Sequence, residues 1–308
     1  MKKEKNFGAW LLSGMLRLLG NLPLGFHHGC AKVLAWLLGK VLHYREDVVL
    51  INLTRSFPEK TYEELVPVKK RFYQHLAGVF AESVWFGACR GKRGRRRLVK
   101  SHIVEFSNPE ELNRLFGASR QLMLMEAHTG NWELIGGIVN YSYTVPMTLK
   151  PSEVAITYMP LSSKAWDIAM ARNRQAPVLD QGFEGYVPSA HIMRYALEHR
   201  EEKRVYIFQA DQYPYYDTGV VEVPFLNQPT KMMQGAAKLA CKLDMSVGYL
   251  RFRYREDGGY EMCVVPLADH ASQTTPEELV NRYSKLLEED IREQPWNYLW
   301  SHKRWKIR

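Results

Sequence analysis

The sequence predicts an α/β fold, with a mostly parallel or mixed central sheet flanked by helices and an N-terminal helical region suited to a membrane surface. Three observations predict it. Beyond residue 101, short apolar runs bounded by turn residues alternate with stretches of helical spacing, as strands do when helices connect them. Two of those runs end in clustered polar residues, and open α/β sheets gather their sites at the carboxyl ends of their strands. Before residue 45 the apolar segments are interrupted by Lys, Arg and Trp, a composition that suits helices lying in a membrane interface. The chain of 308 residues can bury one large core or two.

In chain order, Lys2, Lys3 and Lys5 precede the apolar run Gly8 to Leu12, and Arg17 interrupts Met15 to Leu19. A second apolar segment, Ala31 to Leu42, contains Lys32 and Lys40. Neither reaches the ~20 uninterrupted apolar residues of a spanning helix, and no small-residue cleavage site marks a signal peptide. Thr61 and Glu64 fit a capping box ahead of Leu65, Val68, Phe72, Leu76 and Val79 at helical spacing. Arg90 to Arg97 is the densest charge in the chain. It lacks the aromatic interleaving of a single-strand platform, and no helix-turn-helix, zinc or RNA-binding signature accompanies it, so we expect no nucleic-acid partner. Following an apolar segment, it suits an anionic membrane surface, with acidic carrier protein, substrate phosphate or a plain solvated loop as alternatives.

Strands are expected at His102–Phe106, Leu122–Met125, Val145–Leu149, Val205–Ala210, Val220–Phe225, Ser246–Arg253 and Tyr260–Val265. Helices are expected from Pro109, over 161–174, Thr230–Leu243 and Pro276–Gln294. Lys plus Arg number 42 against 33 for Asp plus Glu, which favours anionic partners. The four cysteines are scattered without zinc or disulfide spacing and point to a reducing compartment. There is no nucleophile elbow, phosphate loop, dinucleotide fingerprint or paired-histidine metal helix, so neither a cofactor nor a metal is expected. Gly136-Gly137 reads as a site of close packing.

The decisive stretch is Gln121 to Gly137, an apolar strand, a tight His128-Thr129-Gly130-Asn131 turn and a helix opening at Trp132-Glu133. On one continuous helix, residues five apart are separated by ~500° and lie on different faces. His128 and Glu133 can therefore meet only if the histidine precedes the helix and the glutamate sits in its first turn. A carboxylate on one imidazole nitrogen would leave the other as a base. Asn131 can cap the helix.

His128 to Glu133, HTGNWE, resembles the corresponding block of bacterial lipid A secondary acyltransferases, within the wider lysophospholipid and glycerolipid acyltransferase superfamily marked by His-x4-Asp/Glu. Asn52-Leu53 with Ser56-Phe57-Pro58-Glu59, Asp211-Gln212, and the stretch from Trp300 to Lys306 resemble three further blocks in the same order. The resemblance covers roughly residues 45–306. It implies a catalytic domain over 45–308 behind a membrane-associating region over 1–44, on the cytoplasmic face of the inner membrane. It also implies transfer of a fatty acyl chain from acyl carrier protein or coenzyme A to a hydroxyl of a lipid A precursor, with His128 as base and Glu133 orienting it. Asn131, one of Arg172 and Arg174, Asp211 and Gln212 would serve the substrate. Tyr215-Tyr216 and Phe225-Leu226-Asn227 depart from the family text after Asp-Gln. The rivals are a lysophospholipid, ornithine lipid or glycolipid acceptor, or a catalytically silent basic membrane- or nucleic-acid-binding protein.

Overall fold

The computed structural model describes residues 6–214 and 219–305. Lys2, Lys3, Lys5, Tyr215, Tyr216 and Lys306 lie outside them. The chain opens with α1 (Phe7–Gly20), α2 (Leu24–Trp36), which continues into a turn of π-helix over Leu37–Val41, and α3 (Glu46–Ser56). Next come α4 (Tyr62–Phe86), α5 (Gly91–Ser101), β1 (Val104–Phe106), α6 (Pro109–Ala118) and β2 (Gln121–Glu126). A tight 3-10 helix over Trp132–Asn140 follows, then β3 (Val154–Tyr158), α7 (Lys164–Arg174), β4 (Tyr186–Pro188), α8 (Ile192–Glu198) and β5 (Arg204–Gln209). The rest is β6 (Val220–Phe225), β7 (Gln228–Met233), α9 (Gly235–Lys242), β8 (Ser246–Tyr254), β9 (Tyr260–Ala268) and α10 (Pro276–Glu293).

Seven strands form one sheet in the order β1-β9-β8-β2-β5-β3-β4. All neighbours are parallel except β8 and β9, which gives the mixed, mostly parallel sheet expected. The middle strand, β2, is buried along its whole length. Its side chains alternate between two cores, as a strand's period of two requires. Met123 and Met125 join the core built with α4, α9 and α10, and Leu122 and Leu124 join the one built with α6 and the 3-10 helix.

At the start of α4, Thr61 Oγ1 accepts from Glu64 N–H while Glu64 returns a bond to Thr61 N–H, the expected capping box. The N-terminal helices pack on α4 and α7. No helix among the described residues is long and apolar enough to cross a membrane.

Two expectations and one alternative need correction. The plain loop considered for Arg90 to Arg97 is ruled out: Arg90 is the N-cap of α5 and the rest of the run lies in it, and the helix buries Gly94 and Leu98 and leaves its basic side outward. Val145–Leu149 is irregular, and the strand follows it at Val154–Tyr158; Asn113 Oδ1 accepts from Thr148 N–H and holds the segment outside the sheet. Thr230–Met233 is strand rather than helix, because β7 pairs along its full length with β6 in a separate antiparallel hairpin. Only Gly235–Lys242 of that stretch is helical.

Candidate active site

β2 ends at Glu126, and β5 lies beside it in parallel register with Gln209 opposite Glu126. Both strands therefore stop level, and the residues just beyond them, His128 from one and Asp211-Gln212 from the other, arrive side by side. His128 Nδ1 lies 2.8 Å from Asp211 Oδ1, and His128 Nε2 lies 3.1 Å from Gln212 Nε2. Burial alone would raise the Asp211 carboxyl, but attraction to His128 and their hydrogen bond outweigh it and hold the group below the ordinary carboxylate range. An ionised carboxylate can only accept, so Nδ1 carries the imidazole proton and Nε2 presents its lone pair to the Gln212 amide and the crevice beyond. The Trp132 ring meets His128 edge-on at 5.3 Å.

The turn between strand and helix requires its glycine. Gly130 has φ of +56°, and a Cβ there would come within 2.5 Å of Phe252. Its N–H donates to Asn297 Oδ1 at 2.8 Å, and Thr129 bridges Tyr298 in antiparallel fashion. Asn131 caps the 3-10 helix by accepting from Glu133 N–H, and its amide donates 2.7 Å to Glu82 Oε2 in α4. Both of its groups are thus engaged inside the chain, away from the crevice.

Glu133 makes no hydrogen bond to His128, the partner that the sequence spacing suggests. The 3-10 helix turns it toward the end of α7, where Arg174 Nε and Nη2 both donate to it at 2.6 Å. Arg174 Nη1 also donates to Tyr186 Oη at 2.9 Å, and Tyr186 stacks on Tyr158 with centroids 4.0 Å apart. Burial opposes the Arg174 charge, but Glu133 outweighs it and fixes the guanidinium in its charged form. A Cβ on Gly136 would stand 1.9 Å from the Arg174 carbonyl oxygen, so the close packing read at Gly136 is what lets the helix approach α7. Of the two arginines, Arg174 lines the crevice, while Arg172 is exposed outside it.

The crevice holds about 200 Å³ and joins His128, Glu133, Arg174 and Gln212 to an apolar wall that includes Trp132, Ile156, Met159 and Phe208. Beneath it, Glu126 is fully buried. Burial first, then the charges of Asp211 and Glu133, push its carboxyl well above the usual range, toward the neutral form. Among the described residues no cluster of three or more His, Cys, Asp or Glu could hold a metal ion, and all four cysteines are free.

The sequence profile of the bacterial lipid A biosynthesis acyltransferase family matches residues 1–307. The chain belongs to that family. No curated protein matches it. As a member of an acyltransferase family it calls for an acyl donor and a lipid acceptor.

In this lipid A acyltransferase-family chain the four sequence blocks meet in space. The Asn52 amide donates to the carbonyls of Trp300 and His302 at 2.8 and 2.9 Å, and Phe57 packs edge-on against Trp300. His302 Nε2 accepts from the backbone N–H of Tyr213 at 3.3 Å, next to the Asp-Gln pair. Burial pushes the His302 imidazole down to about 4, so it is neutral and free to accept. Sequence reasoning missed Asn297, Tyr298, Glu82 and Tyr186, whose partners are far away in sequence. A buried glutamate at position 82, inside an apolar helical stretch, was the one local signal.

Proposed function

We propose that the protein moves a fatty acyl chain from an acyl thioester, carried by acyl carrier protein or coenzyme A, to a hydroxyl of a lipid A precursor on the cytoplasmic face of the inner membrane. The observation that carries this reading is the Asp211–His128 pair at the end of the central strand, with Nε2 facing a part-apolar crevice in a chain of this family. In the proposed step, His128 Nε2 takes the proton of the acceptor hydroxyl as its oxygen attacks the thioester carbonyl. The tetrahedral intermediate collapses, the C–S bond breaks, an ester forms, and the imidazolium returns the proton to the departing thiolate. Asp211 holds the reactive tautomer and offsets the transient charge on the ring.

The Gln212 amide, now on Nε2, is the group the acceptor hydroxyl displaces. Arg174, clamped by Glu133 and Tyr186, presents a fixed positive charge on the same crevice for the polar part of donor or acceptor. Glu133 therefore acts through Arg174 instead of through His128. Asn131 serves as a brace for the turn. The apolar wall suits the acyl chain, and the exposed apolar side chains of α1 and α2, among them Phe7, Trp10, Leu18 and Trp36, suit contact with lipid.

The test is thiol release by purified protein from acyl carrier protein or coenzyme A thioesters, with a lipid A precursor in detergent and with lysophospholipid, ornithine lipid and glycolipid as competing acceptors. Acceptor-dependent release with the lipid A precursor supports the reading. Preference for another lipid reassigns the acceptor, and no release with any acceptor removes the reading altogether.

A further inference from the structure

α5 carries a second feature that the proposed reaction does not use. Arg93, Arg96, Arg97 and Lys100 follow one another at spacings of three, one and three, which on an α-helix is a single stripe. With Leu24, Trp85 and Ser101 they line an open groove of about 500 Å³ that shares no residue with the catalytic crevice.

The other arginines of α5 are spoken for, and Lys92 lies off the stripe. Arg95 pairs with Asp180 and reaches the Pro177 carbonyl. Arg97 lies over the Trp85 ring, 4.8 Å from its centroid, and donates to the carbonyls of Gly20 and Leu22 where α1 turns into α2. Arg93, Arg96 and Lys100 are exposed, and among the described residues they make no hydrogen bond or ion pair. Helix stability does not account for Arg93 and Arg96, and only Lys100, in the last turn, suits the helix dipole. Like charges three and four residues apart repel, and cations in the first turn oppose the helix dipole. α5 has no acidic residue in that turn to offset them.

The groove's rim supplies the second observation. Arg97 ties α5 to the α1–α2 corner, and that corner exposes apolar side chains. Leu18 is 75% exposed and Phe26 50%, with Leu19 and Leu22 beside them. Three unpaired cations directly flanking an exposed apolar corner match one kind of surface, a bilayer face where phosphate head groups border acyl chains.

We infer that the α5 groove is a head-group site for phosphate-bearing lipid, through which the α1–α2 corner docks on an anionic bilayer. Phosphate oxygens accept from Arg93, Arg96 and Lys100, while Leu18, Leu19, Leu22 and Phe26 enter the interface. The inference deepens the membrane-surface part of the proposed function and rests on it.

The test compares the full chain with an Arg93→Gln/Arg96→Gln/Lys100→Gln variant in co-sedimentation with phosphatidylcholine vesicles, with and without phosphatidylglycerol. The substituted side chains are exposed and unpartnered, so circular dichroism should match. At low salt the variant should lose affinity for the anionic vesicles about a hundredfold, close to fivefold per cation removed. Affinity for neutral vesicles, and thiol release with micellar acceptor, should stay unchanged. Arg95→Gln, which removes a partnered cation, should bind vesicles like the parent.

Equal binding of the triple variant and the parent to anionic vesicles overturns the inference. So does a rise in KM for acyl carrier protein thioester with vesicle binding intact, which would give the groove to the carrier. Dissolved glycerophosphate binding as tightly as vesicles would make it a small-anion site and overturn the bilayer assignment. Failure of the unaltered protein to release thiol in micelles would strike the catalytic reading alone, since vesicle binding is scored separately.

Discussion

The His128 crevice and the α5 groove are both charged, yet they are built in opposite ways. In the crevice each charged group is held by another part of the chain: Asp211 by His128, and Arg174 by Glu133 and Tyr186. In the groove, Arg93, Arg96 and Lys100 are held by nothing among the described residues. Partnered, largely buried charges fix atoms in place, which is what proton transfer needs. Unpartnered, exposed charges keep their freedom and their attraction for a mobile, anionic surface. Substitutions in the crevice should therefore damage chemistry and stability, whereas those in the groove should damage only attachment.

The strongest way to break that contrast is Asp211→Asn. The amide can donate to Nδ1 and favour the wrong tautomer, so turnover should fall on the order of 10²- to 10⁴-fold, with vesicle affinity unchanged. Turnover within tenfold of the parent would mean that Asp211 does not set the His128 proton. Glu133→Gln should come next. Breaking a buried ion pair on one side should cost about 3 kcal/mol in urea unfolding, together with much of kcat/KM. A Glu133→Gln/Arg174→Met double variant should regain part of the stability and none of the activity. If activity returns with stability, the pair is only a brace.

A smaller effect lies in pH. Burial pushes His302 down to about 4 and His75 down to about 3. The unfolded chain protonates its histidines near ~6.5, before these two folded rings do. The unfolded state thus gains protons first, so stability is complete above about 6.5 and falls as pH drops toward 4. Asp211 works lower: its depressed carboxyl contributes above the unfolded value of ~3.9, and that contribution is lost as pH falls through the folded value. His302→Gln keeps an acceptor for Tyr213 and should flatten the slope between pH 6.5 and 4; an unchanged slope would place the proton uptake elsewhere. The smallest effect is expected from Arg172→Gln, which should leave stability within about 0.5 kcal/mol because its side chain is exposed outside the crevice. A marked loss of turnover would return Arg172 to the site.

The His128 turn was legible because local chemistry writes it. A strand buried on both faces reads as an unbroken apolar run, and Thr-Gly-Asn can do little but turn. The partner of His128 was not legible. Asp211 lies 83 positions away and arrives only because β5 registers against β2, a fact of sheet order that carries no local mark. Glu133 was read toward His128 because they are neighbours in sequence, while the tight helix turns it to α7. The same limit hid the contacts of Asn297 and Tyr298 with the His128 turn and made β7 read as helix, since Thr230 to Met233 takes its form from β6.

Proton transfer by His128 is the step on which the proposed chemistry depends. The measurement is thiol release from an acyl thioester with lipid A precursor in detergent, comparing the unaltered protein with His128→Ala at matched circular dichroism and vesicle affinity. Turnover should fall on the order of 10²- to 10⁴-fold with both controls unchanged. A folded His128→Ala protein that releases thiol at near the parent rate would contradict it.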